Sequence, residues 1–312
     1  MLRIGTVNID TSHAPSFAEI LLKGDRARYT AIYNDGFRTD KDVDAFMVKY
    51  GLETRYYDLA EMAKHIDVAF IQSCDWDRHI ELSLPFVDAG IPVFIDKPLV
   101  GNIRDLETIE KWNAEGKIIL GTSAMRYTYE HDDFFANAKT EDIISLTATV
   151  GVDEFNYAIH AVEEIMGFMD GISPVSTQFL GINTVGAEDD KIEVDSYRVL
   201  FENGVSAYYH ICKKGWQPST AIIMCKKTTY VYKIDSGKVY EAMLKRVCDY
   251  FEGNKSRLAS VKSMCDSIRV MLAGRKSYQN GGRTENIYEI TAKDGGFDGL
   301  VFYKGYKAQS GY

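Results

Sequence analysis

Apolar and polar positions follow two different rhythms along the chain. Up to about residue 122, short apolar runs alternate with stretches in which apolar residues recur at every third or fourth position: RIGTVNI, FAEILLKG, RYTAIYN, VDAFMVKYG, DVAFIQS, HIELSLPFVDAG, PVFID, LETIEKWNAEG and KIILGTS. The uninterrupted apolar runs Val68–Ile71 and Val93–Ile95 predict strands buried on both faces. With helical crossovers between them, they predict a doubly wound parallel sheet. Beyond residue 122 the runs EDIISLTATVGVD, VSTQFLGINTV, EVDSYRVLF, GVSAYYHICKK, TAIIMCKK and TTYVYKID predict a β-rich region, with a hairpin turn at Glu202–Gly204. NYAIHAVEEIMGFM, Tyr240–Glu252 and Leu258–Ser277 read as helices, the second closed by Gly253. The expected class is α/β: a Rossmann-like domain over 1–122 and an α+β domain over 123–312 with an open, mostly antiparallel sheet. The tail KDGGFDGLVFYKGYKAQSGY has no clear period. It reads as an irregular segment that frays or packs its aromatics on another subunit.

Composition narrows the function classes. A chain of 312 residues suits two domains, and its net charge of −9 repels polyanions. No basic stripe with interleaved aromatics is present, so nucleic acid is not an expected partner. No apolar run approaches the ~20 residues of a membrane span. The start MLRIGTVNID carries no leader-like pattern, so a cytoplasmic location is expected. The five cysteines include no C-x-x-C pair, and no two of the six histidines stand at i, i+3 or i+4. His160 and Glu163 form only a weak H-x-x-E spacing, so no metal is expected, and Glu163 reads as orienting His160 or facing solvent.

Ligands of doubly wound sheets sit beyond the carboxyl ends of the strands. Candidate chemistry therefore lies at Asn8–His13, Asn34–Phe37, Ser73–Asp77, Asp96–Pro98 and Thr122–Arg126. A dinucleotide-binding turn would carry G-x-G-x-x-G here, yet NIDTSHAPSF contains no glycine. Asn8 tolerates the unusual backbone angles of such a turn, while Asp10, Thr11 and Ser12 can cap the following helix and offer hydroxyls. Asp10 opposes a pyrophosphate, and a protonated His13 would offset part of that. After the second strand, Asp35 suits the ribose hydroxyls of NAD and Arg38 the phosphate of NADP; NAD is slightly favoured, although Asn34-Asp35-Gly36 is also plain turn chemistry.

Three local patterns carry a resemblance. IPVFIDKPLV holds Asp96-Lys97-Pro98 after a strand, IQSCDWDRHIELSLPFVDAG is a strand and loop leading to a helix that begins at His79, and NYAIHAVEEI runs from Asn156 to His160 and beyond. Together, in order and spacing over roughly residues 1–290, they resemble the glucose-fructose oxidoreductase, inositol dehydrogenase and MocA (Gfo/Idh/MocA) family of NAD(P)-linked sugar dehydrogenases. The resemblance implies a cofactor held by Asn8, Asp10, Thr11, Ser12, His13, Asn34, Asp35, Ser73, Cys74, Asp75, Asp96 and Lys97. It implies a substrate met by Trp76, His79, Arg126, Asn156 and Tyr157, with Lys97 and His160 flanking the reacting hydroxyl, His160 as its base. It also implies a homodimer or homotetramer through the C-terminal sheet.

The residues leave other readings open. Proline restricts the backbone of Lys97, which serves equally well as a surface turn. His160, among the apolar Ile159, Val162, Ile165, Met166 and Met169, also reads as a hydrogen-bonded core histidine, and Trp76 as packing. Arg126 reads equally as an interdomain salt bridge. The family more often has aspartate at the position of Asn156, and an amide cannot raise the basicity of a histidine as a carboxylate does. The expected function is an NAD(P)-dependent oxidoreductase acting on a sugar, cyclitol or related small polyol. The alternative is a non-redox relative: a ligand-binding or regulatory protein, or a lyase or isomerase using His160 and Lys97.

Overall fold

A computed structural model of the chain describes residues 1–312 except 153, 154, 188–190, 214, 255 and 256. It divides into two compact units, Met1–Thr122 with Met243–Val261 and Asp298–Tyr312, and Ser123–Ala242 with Lys262–Phe297.

The first unit is a parallel sheet of β1 (Leu2–Val7), β2 (Ala27–Tyr33), β3 (Thr54–Tyr56), β4 (Val68–Ile71), β5 (Val93–Ile95) and β6 (Ile119–Gly121) in the order β3-β2-β1-β4-β5-β6. The reversal of strand order beside β1 opens the crevice in which such sheets bind ligands. Every residue of β4, β5 and β6 is buried, as their uninterrupted apolar runs require. The helices α1 (His13–Leu21), α2 (Asp40–Tyr50), α3 (Leu59–Ala63), α4 (His79–Asp88) and α5 (Ile103–Ala114) connect the strands. Their ends follow local chemistry: α2 starts in a Thr39–Asp42 capping box and stops at Gly51 with φ 69°, and Asn102 caps α5 through the amide of Asp105.

The second unit holds α6 (Tyr129–Asn137), β7 (Ile143–Val152), α7 (Ala158–Phe168), β8 (Pro174–Val185), β9 (Ile192–Phe201), β10 (Ser206–Lys213), β11 (Thr220–Cys225) and β12 (Thr229–Lys233). Then α8 (Val239–Phe251) crosses to the first unit, α9 (Val261–Gln279) returns, and β13 (Glu285–Asn286) completes a sheet ordered β12-β11-β7-β10-β9-β8-β13. Only β7 and β10 pair in parallel. One face is covered by α7, against β7 and β10, and by α9, where a Cβ on Gly274 would lie 2.8 Å from the Tyr209 hydroxyl. The other face exposes Ile144, Leu180, Ile182, Ile222, Met224 and Val231. Among the described residues no helix is long and apolar enough to cross a membrane.

The tail departs from the sequence reading. Residues Gly299–Gln309 form a helix, α10, which belongs to the first unit and packs its aromatics there. Its glycines masked the helical period, and the decisive contacts lie more than 200 residues away in sequence.

Candidate active site

The turn after β1 contains no glycine and places an asparagine in the left-handed region. Asn8 takes φ 66°, the left-handed conformation that asparagine tolerates better than other side chains. Its side chain locks the turn: Oδ1 accepts from the amides of Asp35 and Gly36 at 2.9 and 3.2 Å, and Nδ2 donates to Asp35 Oδ1 at 3.1 Å. Thr11 Oγ1 accepts from the His13 amide, whereas Ser12 makes no side-chain cap bond to α1.

Asp10 turns away from the helix. Its fully buried carboxylate lies between the loops after β2 and β4, accepting from the amides of Phe37 at 3.2 Å and Cys74 at 3.3 Å. A Cβ on Gly36 would come within 2.0 Å of Asp10 Oδ1, so the glycine is required by this carboxylate. Burial pushes the Asp10 carboxyl up, and the two amides only partly offset it. Burial also pushes up the Cys74 thiol, reinforced by the charge of Asp10.

His13 pairs with the carboxylate of Asp96. Its Nδ1 lies 2.6 Å from Asp96 Oδ2 at the end of β5, where Asp96 Oδ1 also accepts from the Lys97 amide. Burial would raise the Asp96 carboxyl, but His13 and Lys97 outweigh it and hold the group below the ordinary carboxylate range. Lys97 itself is half-buried and precedes Pro98 across a cis bond.

At the end of β2, Asp35 is held by Arg78 in a two-point ion pair at 3.0 and 2.7 Å. Burial raises its carboxyl, and Arg78 more than reverses this. Arg78 was not singled out in the sequence, because nothing local ties it to a residue 43 positions earlier. Asn34 accepts from the Ile9 amide and donates to the Arg38 carbonyl, while Arg38 reaches the Asp10 carbonyl at 2.9 Å. Ser73 accepts from the Asp75 amide, and Asp75 in turn accepts from Asp77. Trp76 is buried against Phe302. His79 is buried with both ring nitrogens on backbone carbonyls, those of Leu99 and Ser73.

In the second unit α7 buries every residue except His160. His160 Nδ1 lies 2.6 Å from Ser123 Oγ, which also accepts from the Met125 amide. Ser123 stands two residues after the end of β6; its place beyond a strand end was the only sequence signal for it. Asn156 and Tyr157 precede the first residue of α7, Asn156 half-buried and Tyr157 exposed. Arg126 is buried, its Nε 2.5 Å from Glu163 and its other nitrogens donating to Ser263 and Ser267 at 2.8 Å. This ion pair lies within one unit, and Glu163 is buried, not solvent-facing. Among the described residues no cluster of three His, Cys, Asp or Glu side chains stands ready for a metal.

Residues 2–122 match the family model described as oxidoreductase family, NAD-binding Rossmann fold (Gfo/Idh/MocA). Across the whole chain the fold is shared with scyllo-inositol dehydrogenase from Lactobacillus casei, solved with bound NAD(H) and scyllo-inositol: TM-score 0.73, 15% identity, 93% of this chain and 100% of that one. Myo-inositol dehydrogenase from the same organism, in complex with NAD(H) and myo-inositol, gives TM-score 0.73 at 13% identity over 92% and 96%. Myo-inositol 2-dehydrogenase from Lactobacillus plantarum gives 0.72 at 16% over 91% and 99%. A search of curated proteins finds no match.

That family model implies a nicotinamide dinucleotide, and the first unit fits one only in part. The turn at Asn8 and the Asp96-Lys97 end of β5 have the required backbone and polar groups. The side facing β2 does not fit in the present arrangement: Asp10 places a carboxylate between the loops, Arg78 engages Asp35, and α10 lies against Phe37 and Trp76.

Proposed function

We propose that this protein is an oxidoreductase that uses a nicotinamide dinucleotide, NAD in preference to NADP, to interconvert a hydroxyl and a keto group on a cyclitol, sugar or related small polyol. The observation that carries the reading is Asp96-Lys97-Pro98 at the carboxyl end of β5, in a domain whose family model is that of an NAD-binding oxidoreductase. The bound cofactor would supply the hydride acceptor; the side chains would manage the proton. His160 Nδ1 is engaged by Ser123 Oγ, so Nε2 is the nitrogen assigned in this reading to take the hydroxyl proton, in the tautomer that leaves the Nδ1 proton on the Ser123 side. Lys97, at the carboxyl end of β5, is the compact cation assigned in this reading to orient a substrate hydroxyl. The inositol dehydrogenases that share the fold support a cyclitol as the first substrate to try. The apolar outer face of the second sheet fits the same reading as the seat of a second copy of the chain.

The test is turnover with NAD and NADP against a panel of inositols and neutral sugars, followed by nicotinamide absorbance. Absence of turnover across the panel, by protein shown to bind the cofactor, would remove the substrate class. A second reading, redox-neutral acid–base chemistry or ligand binding around His160, is favoured by one observation: the Asp10 carboxylate stands where a pyrophosphate-binding turn normally has glycine.

A further inference from the structure

The C-terminal helix packs on the loops that follow β2 and β4. Asp298 caps α10 by accepting from the Val301 amide at 2.8 Å, and the amides of Gly299 and Leu300 donate to Asp77 Oδ2 at 2.8 and 3.4 Å. A Cβ on Gly299 would lie 2.5 Å from Asp75 Oδ1, 2.8 Å from the Asp77 nitrogen and 2.9 Å from the Trp76 nitrogen. Only glycine lets the helix dock this closely on the loop after β4.

From that anchor the aromatics spread over both loops. Phe302 packs on Trp76 at 5.0 Å between ring centres, and Tyr303 and Tyr306 lie 5.7 and 6.2 Å from Phe37 in the loop after β2. Tyr312 adds a contact to Phe37 at 5.3 Å, and its hydroxyl accepts from Arg38 at 3.0 Å. Burial, then the charges of Asp10 and Cys74, push the Tyr303 phenol up, consistent with a ring lying over those residues.

The loop after β2 is the one that holds the adenosine ribose in doubly wound dinucleotide sites. We propose that α10 is an intramolecular occupant of the adenosine half of this crevice, and that a dinucleotide binds only when the helix lifts away. The proposal rests on the dinucleotide reading above. The seat is built for release: Gly299 is the only buried residue of α10, so most of the helix already faces solvent. Gly295 and Gly296 lie just before it, the first at φ 76°.

Calorimetric titration with NADH and with NADPH tests this on the full chain, on Gly299→Val and on the triple variant Phe302→Ala, Tyr303→Ala, Tyr306→Ala. Both variants are expected to bind one nucleotide at least about tenfold more tightly than the parent. Hydrogen exchange of residues 299–309 in the parent protein is expected to quicken at saturating nucleotide, and this arm stands even if a variant fails to fold. Equal affinity in all three proteins with unchanged exchange would overturn the helix as occupant while leaving the dinucleotide reading intact. No binding by any of the three, with native circular dichroism, would overturn both.

Discussion

Replacing Glu164 with glutamine should make the protein more stable at alkaline pH than its parent. Glu164 is fully buried on α7; its Oε2 accepts from Ser219 Oγ at 2.6 Å, while Oε1 has no hydrogen-bond partner among the described residues. Burial, with a smaller contribution from Glu130, pushes its carboxyl from 4.5 up to about 8. The folded protein therefore keeps a proton that the unfolded chain loses at ordinary carboxylate pH. Stability falls as pH rises from about 4.5 to about 8 and levels off beyond. At ~1.4 kcal/mol per pH unit the full penalty has a ceiling on the order of 5 kcal/mol. Glutamine carries no charge in either state and still accepts from Ser219, so Glu164→Gln loses this dependence. Urea unfolding near pH 5 and near pH 8.5 measures it, the gap between the proteins widening with pH by a few kcal/mol, or roughly 1 M or more in midpoint. Parallel pH profiles for parent and variant would refute the assignment of a protonated, desolvated Glu164.

Other substitutions separate chemistry from architecture. Lys97→Ala and His160→Ala should each lower kcat about 10²–10⁴-fold without changing the melting temperature appreciably, measured by turnover alongside thermal unfolding. Arg126→Ala removes the cation beside the buried Glu163 and should cost about 3–5 kcal/mol in urea unfolding. Gly36→Ala collides with Asp10 and should destabilise the first unit, whereas adding Asp10→Gly should restore most of the loss; additive effects would deny the contact. Light scattering should give a mass at least twice the 35.2 kDa of the chain, and 35.2 kDa itself would remove the second copy from the open sheet.

Local periodicity alone determined the strands and crossovers of the first unit, because a buried parallel strand must be apolar throughout and a crossover helix must not. Val68–Ile71 and Val93–Ile95 match their predicted bounds to the residue. The same logic gave the β-rich second unit and the partly enclosed place of His160 on α7. Residue type also told that Asn8 suits a left-handed turn, since that preference belongs to the side chain and its own backbone.

What the tertiary structure decided is which groups meet. His13 pairs with Asp96 across 83 positions, Arg78 with Asp35 across 43, and Asp10 with the amides of Phe37 and Cys74. These partners come from different strand ends, brought together by sheet order and not by spacing along the chain. The α10 helix shows the limit most plainly: its glycines hide the period, and the surface that stabilises it is made by residues near 37 and 76. Sequence patterns record how a segment meets solvent and core, whereas a charge pair or a docked aromatic is set by neighbours that only the folded chain supplies.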